Sequence, residues 1–199
     1  MIQRTDFSVK TLAMVLLASL SVPLLSGCLP VVATGVAVGA MSASDRRTTG
    51  AQLEDESIED KAEARISGKF GSKVVHANVI SFNRQVLITG EAADAATRLE
   101  VERIVKGVPN VRYVFNELAI GPVSSLSSRT NDSYITSKVK ARMVDSNKFS
   151  ANHVKTVTEN GVVYLMGLVK HQEALDAVEV ARTTSGVKKV VTGYFEYID

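Results

Sequence analysis

Apolar residues recur at four-residue spacing at the start of two segments of the chain, which predicts a helix with one buried face in each segment. These residues are Ile58, Ala62 and Ile66 in the first segment and Ile135, Val139 and Met143 in the second. Two β-rich runs follow each helix. In the second segment they flank Asn160-Gly161, a strong hairpin signal because both residues accept positive φ. The first segment has Asn83-Arg84 at this place, a weaker turn.

A second helix and a third strand complete each segment. The helices are predicted at about 94–106 and 172–184, each closed by a glycine, and the strands at 111–120 and 187–197. A helical crossover lays the third strand parallel to the second with right-handed chirality. Both helices then cover one face of a three-stranded mixed sheet. The predicted fold class is therefore α+β, with two tandem αββαβ domains.

The two segments are copies of one unit. A shift of 77 residues places Gly90 on Gly167. After a two-residue insertion, a shift of 79 places Gly107 on Gly186. Each copy is short enough to be only marginally stable alone, which leaves open whether the copies pack together. The predicted boundaries are 53–120 for the first domain, 121–131 for a Ser-rich linker and 132–199 for the second domain.

The first 28 residues have the pattern of an export signal. Two basic residues precede an apolar stretch of about 14 residues, shorter than the roughly 20 that a membrane-spanning helix needs. The stretch ends in Leu25-Ser26-Gly27-Cys28, which resembles the lipobox of bacterial lipoproteins. The resemblance implies cleavage before Cys28 and attachment of a diacylglycerol to its thiol. Residues 1–27 are then a signal peptide and residues 28–52 an acylated tether.

Composition argues against whole classes of function. Removal of residues 1–27 lowers the formal net charge from +2 to +1, so no global excess of positive charge favours nucleic acid. Because Cys28 is the one cysteine, the acylated chain has no disulfide and no thiol chemistry. The sequence has no phosphate loop, serine elbow or nucleophile–base pair. The chain is therefore predicted not to be an enzyme and to need no cofactor besides the lipid on Cys28.

Neither the histidines nor the acidic residues predict a metal site. His76 and His153 are equivalent positions of the repeat, and neither has a His, Cys or paired carboxylate at ligand spacing. His171 lies in the inserted loop and is expected to be solvated. The acidic residues from Glu54 to Glu63 lack the glycine and the alternating oxygen ligands of a calcium loop. They are interpreted as a solvated helix face with carboxylates near the helix N-terminus.

The charge of the first helix differs between the two copies. Residues 54–66 carry a net charge of −4, whereas the equivalent residues 131–143 carry +2. On the second helix Tyr134, Lys138 and Arg142 share a face beside the apolar stripe. Tyrosine suits the headgroup layer of a membrane, and basic residues near an anionic membrane gain about 1 kcal/mol each. This face is the candidate phospholipid-binding site, with a plain solvated helix as the alternative.

Two αββαβ units with a Gly-Val-x-x-Val corner resemble BON domains, and a lipobox followed by two such domains resembles outer-membrane lipoproteins of the DolP type. Residues 130–139 and 159–169 carry the similarity most strongly. The resemblance implies a non-enzymatic protein that binds anionic phospholipid and supports membrane integrity. Some relatives have Trp at the position of Tyr134. Leu29 stands where Asp favours inner-membrane retention in lipoprotein families, which implies an outer-membrane anchor facing the periplasm.

Two functions stay open at the level of sequence. In the first, Cys28 anchors the chain in the outer membrane and the second BON domain binds anionic phospholipid. In the second, the acidic helix or the edge strand of the first BON domain docks an envelope assembly machine or a protease. Binding of the protein to lipid vesicles distinguishes the two.

Overall fold

The computed structural model describes residues 45–199, which form two successive domains within one compact unit. Cys28 and the predicted signal peptide lie outside the described residues. The first domain contains α1 (Thr49–Lys69), β1 (Val75–Phe82), β2 (Gln85–Ala92), α2 (Ala95–Lys106), β3 (Tyr113–Asn116) and β4 (Ala119–Ile120). The second contains α3 (Leu126–Ser146), a short 3₁₀ helix (Ala151–His153), β5 (Val154–Glu159), β6 (Val162–Val169), α4 (His171–Arg182) and β7 (Lys189–Tyr197). The predicted α+β fold with two repeated units is confirmed.

Each domain has a mixed sheet with the second of its strands in the middle. In the first, β2 pairs antiparallel with β1 and parallel with β3 and β4; in the second, β6 pairs antiparallel with β5 and parallel with β7. The strand predicted at 111–120 is divided in two because Leu118 turns into the core, where it is 2% exposed. The second domain has a register shift at the corresponding place, between Tyr164 and Met166. In both sheets, therefore, the parallel pairing of the middle strand is interrupted: that of β2 with β3 and β4, and that of β6 with β7.

The first helix of each domain begins earlier than its predicted boundary. The α1 helix begins at Thr49 and not near 53, because the Thr48 hydroxyl accepts a hydrogen bond from the N–H of Ala51. The α3 helix begins at Leu126, inside the segment predicted as a linker, because Ser125 caps it in the same way. Ser and Thr are preferred helix N-caps as well as common linker residues. The connection between the domains is thus five residues long, 121–125.

The faces of the two sheets that lie away from the helices pack against each other. Successive side chains of a strand point to opposite faces, so one set of alternate residues meets the helices and the other meets the second sheet. The buried residues of this shared cluster are Ile80, Phe82 and Leu87 from the first domain and Val157, Met166 and Tyr194 from the second. The molecule therefore has four layers, and this cluster fixes the relative position of the domains that the sequence left open.

A buried aspartate of the first helix holds the hairpin of each domain. Asp55 accepts hydrogen bonds from the N–H groups of Asn83 and Arg84, both at 2.7 Å. Asp132, its equivalent, accepts from Asn160 at 2.9 Å and from Gly161 at 2.8 Å. The acidic residues of α1 are thus not all on a solvated face, as the sequence had suggested. One of them is 2% exposed because it satisfies the N–H groups of a turn that has no strand partner.

The residues that precede α1 contact both domains. Arg46 forms an ion pair with Glu173 of α4 and donates a hydrogen bond to the Leu168 carbonyl at 3.0 Å. Arg47 pairs with Asp55 at 2.8 Å and lies over the ring of Phe82, 4.0 Å from its centroid. The end of the segment predicted as a tether is therefore part of the fold. Among residues 45–199, no helix combines the length and apolar character needed to cross a membrane.

Candidate functional site

Tyr134 and Lys138 form an exposed aromatic and basic pair on α3. The Tyr134 side chain is 62% exposed, and Lys138 Nζ lies 4.8 Å from the centroid of its ring. The neighbouring stripe of the same helix is buried, as its four-residue spacing predicts. A tyrosine with this exposure places its ring and its hydroxyl at the surface together, which is the form in which aromatic residues enter a membrane interface.

The loop after α4 adds a lysine to this surface. Lys138 Nζ donates a hydrogen bond to the carbonyl of Ser185, so the loop lies beside the aromatic–basic pair. The same loop ends at Lys188, which is exposed. Lys188 also donates to the carbonyl of Asn160 in the β5–β6 turn, at 3.0 Å. Tyr134, Lys138 and Lys188 are called the basic surface below.

Sequence reasoning missed the loop lysine, because the 79-residue shift is wrong at this place. The structure makes Arg112 the equivalent of Lys188, since the Arg112 N–H donates to the Arg84 carbonyl as the Lys188 N–H donates to the Gly161 carbonyl, both at 2.8 Å. Asn110 and Gly186 are then equivalent, and both have positive φ. Lys188 is far from Tyr134 along the chain, and only the folded loop brings it to α3.

Arg142 is held at the end of α4. Its guanidinium donates to the Val180 carbonyl at 3.1 Å and to the hydroxyls of Thr183 and Thr184. A cation at this place complements the C-terminal end of the helix dipole. Arg65, the equivalent residue, donates to the Gly107 carbonyl at the end of α2. Because both copies make this contact, it belongs to the fold, and lipid contact by Arg142 stays a prediction.

The corresponding surface of the first domain lacks the aromatic ring on its helix. Ser57 and Lys61 stand where the second domain has Tyr134 and Lys138, and Arg112 stands where it has Lys188. In the same loop, Asn110 donates a hydrogen bond to Glu54 at 2.8 Å, and the second domain has Asn131 in place of this carboxylate. The two surfaces therefore differ in the tyrosine and in one acidic residue.

A second candidate site is a groove in the first domain between α1 and the edge strand β1. Its volume is 710 Å³, and its lining includes Asp60, Glu63, Phe70 and His76. Burial raises the pKa of Glu63, as do the charges of neighbouring Glu59 and Asp60. The groove is thus part apolar and part acidic. Such a lining fits a chain segment with apolar and basic residues better than it fits an anionic lipid.

The histidines are placed differently from one another. His76 lies beside Glu91, with its Nδ1 3.1 Å from a carboxylate oxygen, and Glu159 of the second domain is near both. The sequence-based argument that His76 has no carboxylate partners is therefore wrong. His171 is exposed and stacks on Tyr197, with ring centroids 4.2 Å apart.

Comparison with known proteins agrees with this architecture. The model of the BON domain family matches residues 54–122 and 131–194. The chain is 37% identical over 176 residues to "Outer membrane lipoprotein DolP" of Haemophilus influenzae, covering 88% of this chain and 91% of that protein. It is 31% identical to "21 kDa hemolysin" of Actinobacillus pleuropneumoniae, over 74% and 76% of the two chains. It is 28% identical to "Osmotically-inducible protein Y" of Escherichia coli, over 79% and 80%.

The chain therefore belongs to the BON-domain family, in the group of outer-membrane lipoproteins that includes DolP. The resemblance drawn from the sequence and the predicted outer-membrane location are confirmed. None of the three relatives has the name of an enzyme.

Proposed function

We propose that the chain is a non-enzymatic lipoprotein, anchored through a diacylglycerol on Cys28, whose second BON domain binds anionic phospholipid through the basic surface and thereby supports outer-membrane integrity. The observation that carries this proposal is the exposed Tyr134 ring with Lys138 over it and a further lysine, Lys188, in the adjoining loop. The first domain, with the same fold, has Ser57 in place of the tyrosine and has Glu54 beside its loop.

Electrostatics and geometry support binding of anionic phospholipid by the basic surface. Each lysine near an anionic surface contributes about 1 kcal/mol, so Lys138 and Lys188 give useful but modest attraction. The tyrosine ring adds an interfacial anchor that salt does not screen. A lipid anchor on Cys28 raises the effective concentration of the domain at the membrane, so a site that is weak in solution suffices.

The test is cosedimentation of residues 45–199 with vesicles. Lys138→Glu should weaken binding to anionic vesicles about tenfold or more, because it removes one favourable charge and adds an unfavourable one. The matched control is Lys61→Glu, which makes the same change at the equivalent place in the first domain and should leave binding unchanged. Circular dichroism checks that both variants fold.

Tyr134→Ala separates the aromatic contribution from the charge. It should weaken binding at every salt concentration, whereas the Lys138→Glu effect should shrink as salt rises. Equal binding by wild type, Lys138→Glu and Tyr134→Ala would rule out the basic surface. Absence of wild-type binding to any anionic vesicle would rule out the phospholipid function itself.

A second candidate function is a protein-interaction scaffold, with envelope assembly proteins or a protease as partner. The 710 Å³ groove of the first domain favours it, because the groove lies along the unpaired edge of β1, where an added strand could pair. A Glu63→Lys variant reverses the charge of this groove without touching the basic surface. Loss of envelope integrity in cells by this variant, with vesicle binding intact, would favour the scaffold.

A further inference from the structure

Three side chains from both domains meet at one end of the sheet–sheet interface. His76 is on β1, Glu91 is on β2 and Glu159 ends β5, and all three point to the face that meets the other sheet. Their nearest nitrogen and oxygen atoms all lie within 4.8 Å of one another. Glu91 is 4% exposed and Glu159 is 7% exposed. Two carboxylates therefore lie close together away from water, which is costly unless a cation compensates them.

The carboxylates of Glu91 and Glu159 differ in the hydrogen bonds that they accept. Glu91 accepts hydrogen bonds from Asn160 at 3.0 Å and from the Ser124 N–H at 3.2 Å. Burial works to raise its pKa, but these bonds together with His76 outweigh burial and lower the pKa. Glu159 accepts only long bonds, from Thr89 at 3.3 Å and Asn78 at 3.5 Å, both to the same oxygen. Its pKa is raised, first by burial and further by the charges of Glu91 and Asp132, against the opposing effect of His76.

We propose that His76, Glu91 and Glu159 bind one divalent transition-metal ion that links the two BON domains. One imidazole nitrogen and two carboxylate oxygens, with no thiolate, suit Zn²⁺ and its neighbours in the first transition row. Ligands at about 2.0–2.2 Å from a tetrahedral ion are about 3.3–3.6 Å apart. The 3.1 Å between His76 and Glu91 is near that value, so a small movement of Glu159 completes the set.

The pair of carboxylates occurs once and is not duplicated with the repeat. The equivalents of Glu91 and Glu159 are Leu168 and Phe82, which belong to the apolar cluster at the interface. The carboxylates are therefore found at one end of a pseudo-symmetric interface only. The His76 side chain is 21% exposed, so a cation can reach its ring from solvent. The Asn160 and Ser124 bonds orient Glu91 as outer-shell partners orient metal ligands.

The test uses Zn²⁺ and the full chain carrying Cys28→Ala, purified in detergent, so that no thiol competes. Calorimetric titration should give one zinc ion per chain. His76→Ala and Glu159→Gln should each weaken zinc binding about tenfold or more, since loss of even an outer-shell partner costs 10- to 100-fold. The control is His171→Ala, which removes an exposed histidine outside the trio and should leave zinc affinity unchanged.

Two further measurements tie binding to the interface. Zinc should raise the midpoint of thermal unfolding in the wild type and not in Glu159→Gln, whose shape is nearly that of the natural residue. The ring nitrogens of His76 should shift on zinc addition in NMR spectra of ¹⁵N-labelled protein. Absence of saturable zinc binding, or zinc binding that both ligand variants retain in full, would overturn the proposal. Neither result bears on phospholipid binding, which depends on other residues.

Discussion

The hairpin turns of the two domains have the same backbone shape and different sequences. Asn83 and Arg84 have φ angles of 52° and 63°, and Asn160 and Gly161 have 51° and 79°. Glycine accepts such an angle without steric cost, whereas arginine does not. In the first domain Asp55 binds the turn, as Asp132 does in the second, and is itself paired with Arg47. The first domain thus has a less favourable turn residue, Arg84, and a buried aspartate with an additional partner, Arg47.

The two domains share their main buried contacts but differ at their surfaces. Features that occur in both copies, such as the buried aspartate and the arginine at the helix end, maintain the fold. Features found in one copy only, such as Tyr134, are not needed for the fold and are better indicators of function. Each residue of one copy can therefore be compared with its equivalent in the other copy, which serves as an internal control.

The largest effect is expected from removing the aspartates. Asp55→Ala leaves two turn N–H groups, the Ser81 hydroxyl and part of the Arg47 charge without their partner, and should cost about 4 kcal/mol of unfolding free energy. Asp132→Ala removes only the turn bonds and should cost about 2 kcal/mol. Urea unfolding of residues 45–199 measures both. Equal losses in the two variants would show that the Arg47 pair and the Ser81 bond add nothing.

A graft of the second surface onto the first domain tests whether the basic surface is sufficient. Ser57→Tyr combined with Glu54→Asn gives the first domain the tyrosine of the second and removes its extra carboxylate, while Lys61 and Arg112 already stand where the second domain has Lys138 and Lys188. The variant should strengthen binding to anionic vesicles about fivefold, since a change of one unit charge near the membrane contributes about 1 kcal/mol. The control combines Ser57→Ala with Glu54→Asn. If the graft binds no better than this control, the surface needs features of the second domain besides the tyrosine.

A smaller effect is expected at the turn. Arg84→Gly gives the first domain the turn sequence of the second and should stabilise it by about 0.5 kcal/mol, the relief of strain exceeding the greater flexibility of the unfolded chain. Gly161→Ala should do the reverse, because its Cβ would lie 2.9 Å from Lys188 Cδ at a φ of 79°. Denaturant midpoints give both values. A destabilised Arg84→Gly would mean that the arginine side chain contributes more than its backbone costs.

The smallest effect concerns Glu159, whose equivalent is Phe82. Because the pKa of Glu159 is raised in the fold, chiefly by burial, its contribution to stability is fully present below about 4.5 and is lost as pH rises through the folded value. With a chelator present, Glu159→Gln should therefore be slightly more stable than wild type at pH 7 and equal to it at pH 4. The check is the unfolding midpoint at both pH values. A variant that is less stable at pH 7 would contradict the direction of the shift.

The order of elements was predictable because each signal was local. Four-residue apolar spacing, Asn160-Gly161 and the C-cap Gly107 each act within a few residues. The predicted end of the last helix was wrong, because α4 ends at Arg182 with Thr183 as its C-cap and Gly186 lies beyond it. Gly90 shows why the glycine recurs, since a Cβ there would lie 2.0 Å from the His76 carbonyl oxygen. The helix starts were missed because N-cap residues resemble a linker, and Asp55 was missed because it stands among solvated acidic residues.

The candidate site was predictable only in part. Tyr134 and Lys138 are one helical turn apart, so sequence spacing places them together. Lys188 joins them through a loop that packs on α3, and Glu159 reaches His76 only across the packed sheets. These contacts depend on register and domain packing, which no local pattern encodes. The apolar residues on both faces of β1 and β2 were the available signal for sheet packing.

The two arginines before α1 have a mechanical consequence. Arg46 is attached to the second domain and Arg47 to the first, at adjacent positions of the chain. A pull applied from the N-terminal side is therefore divided between the two domains at the start of the fold. The part carried by the Arg46 ion pair reaches the second domain without passing through α1 or the five-residue connection.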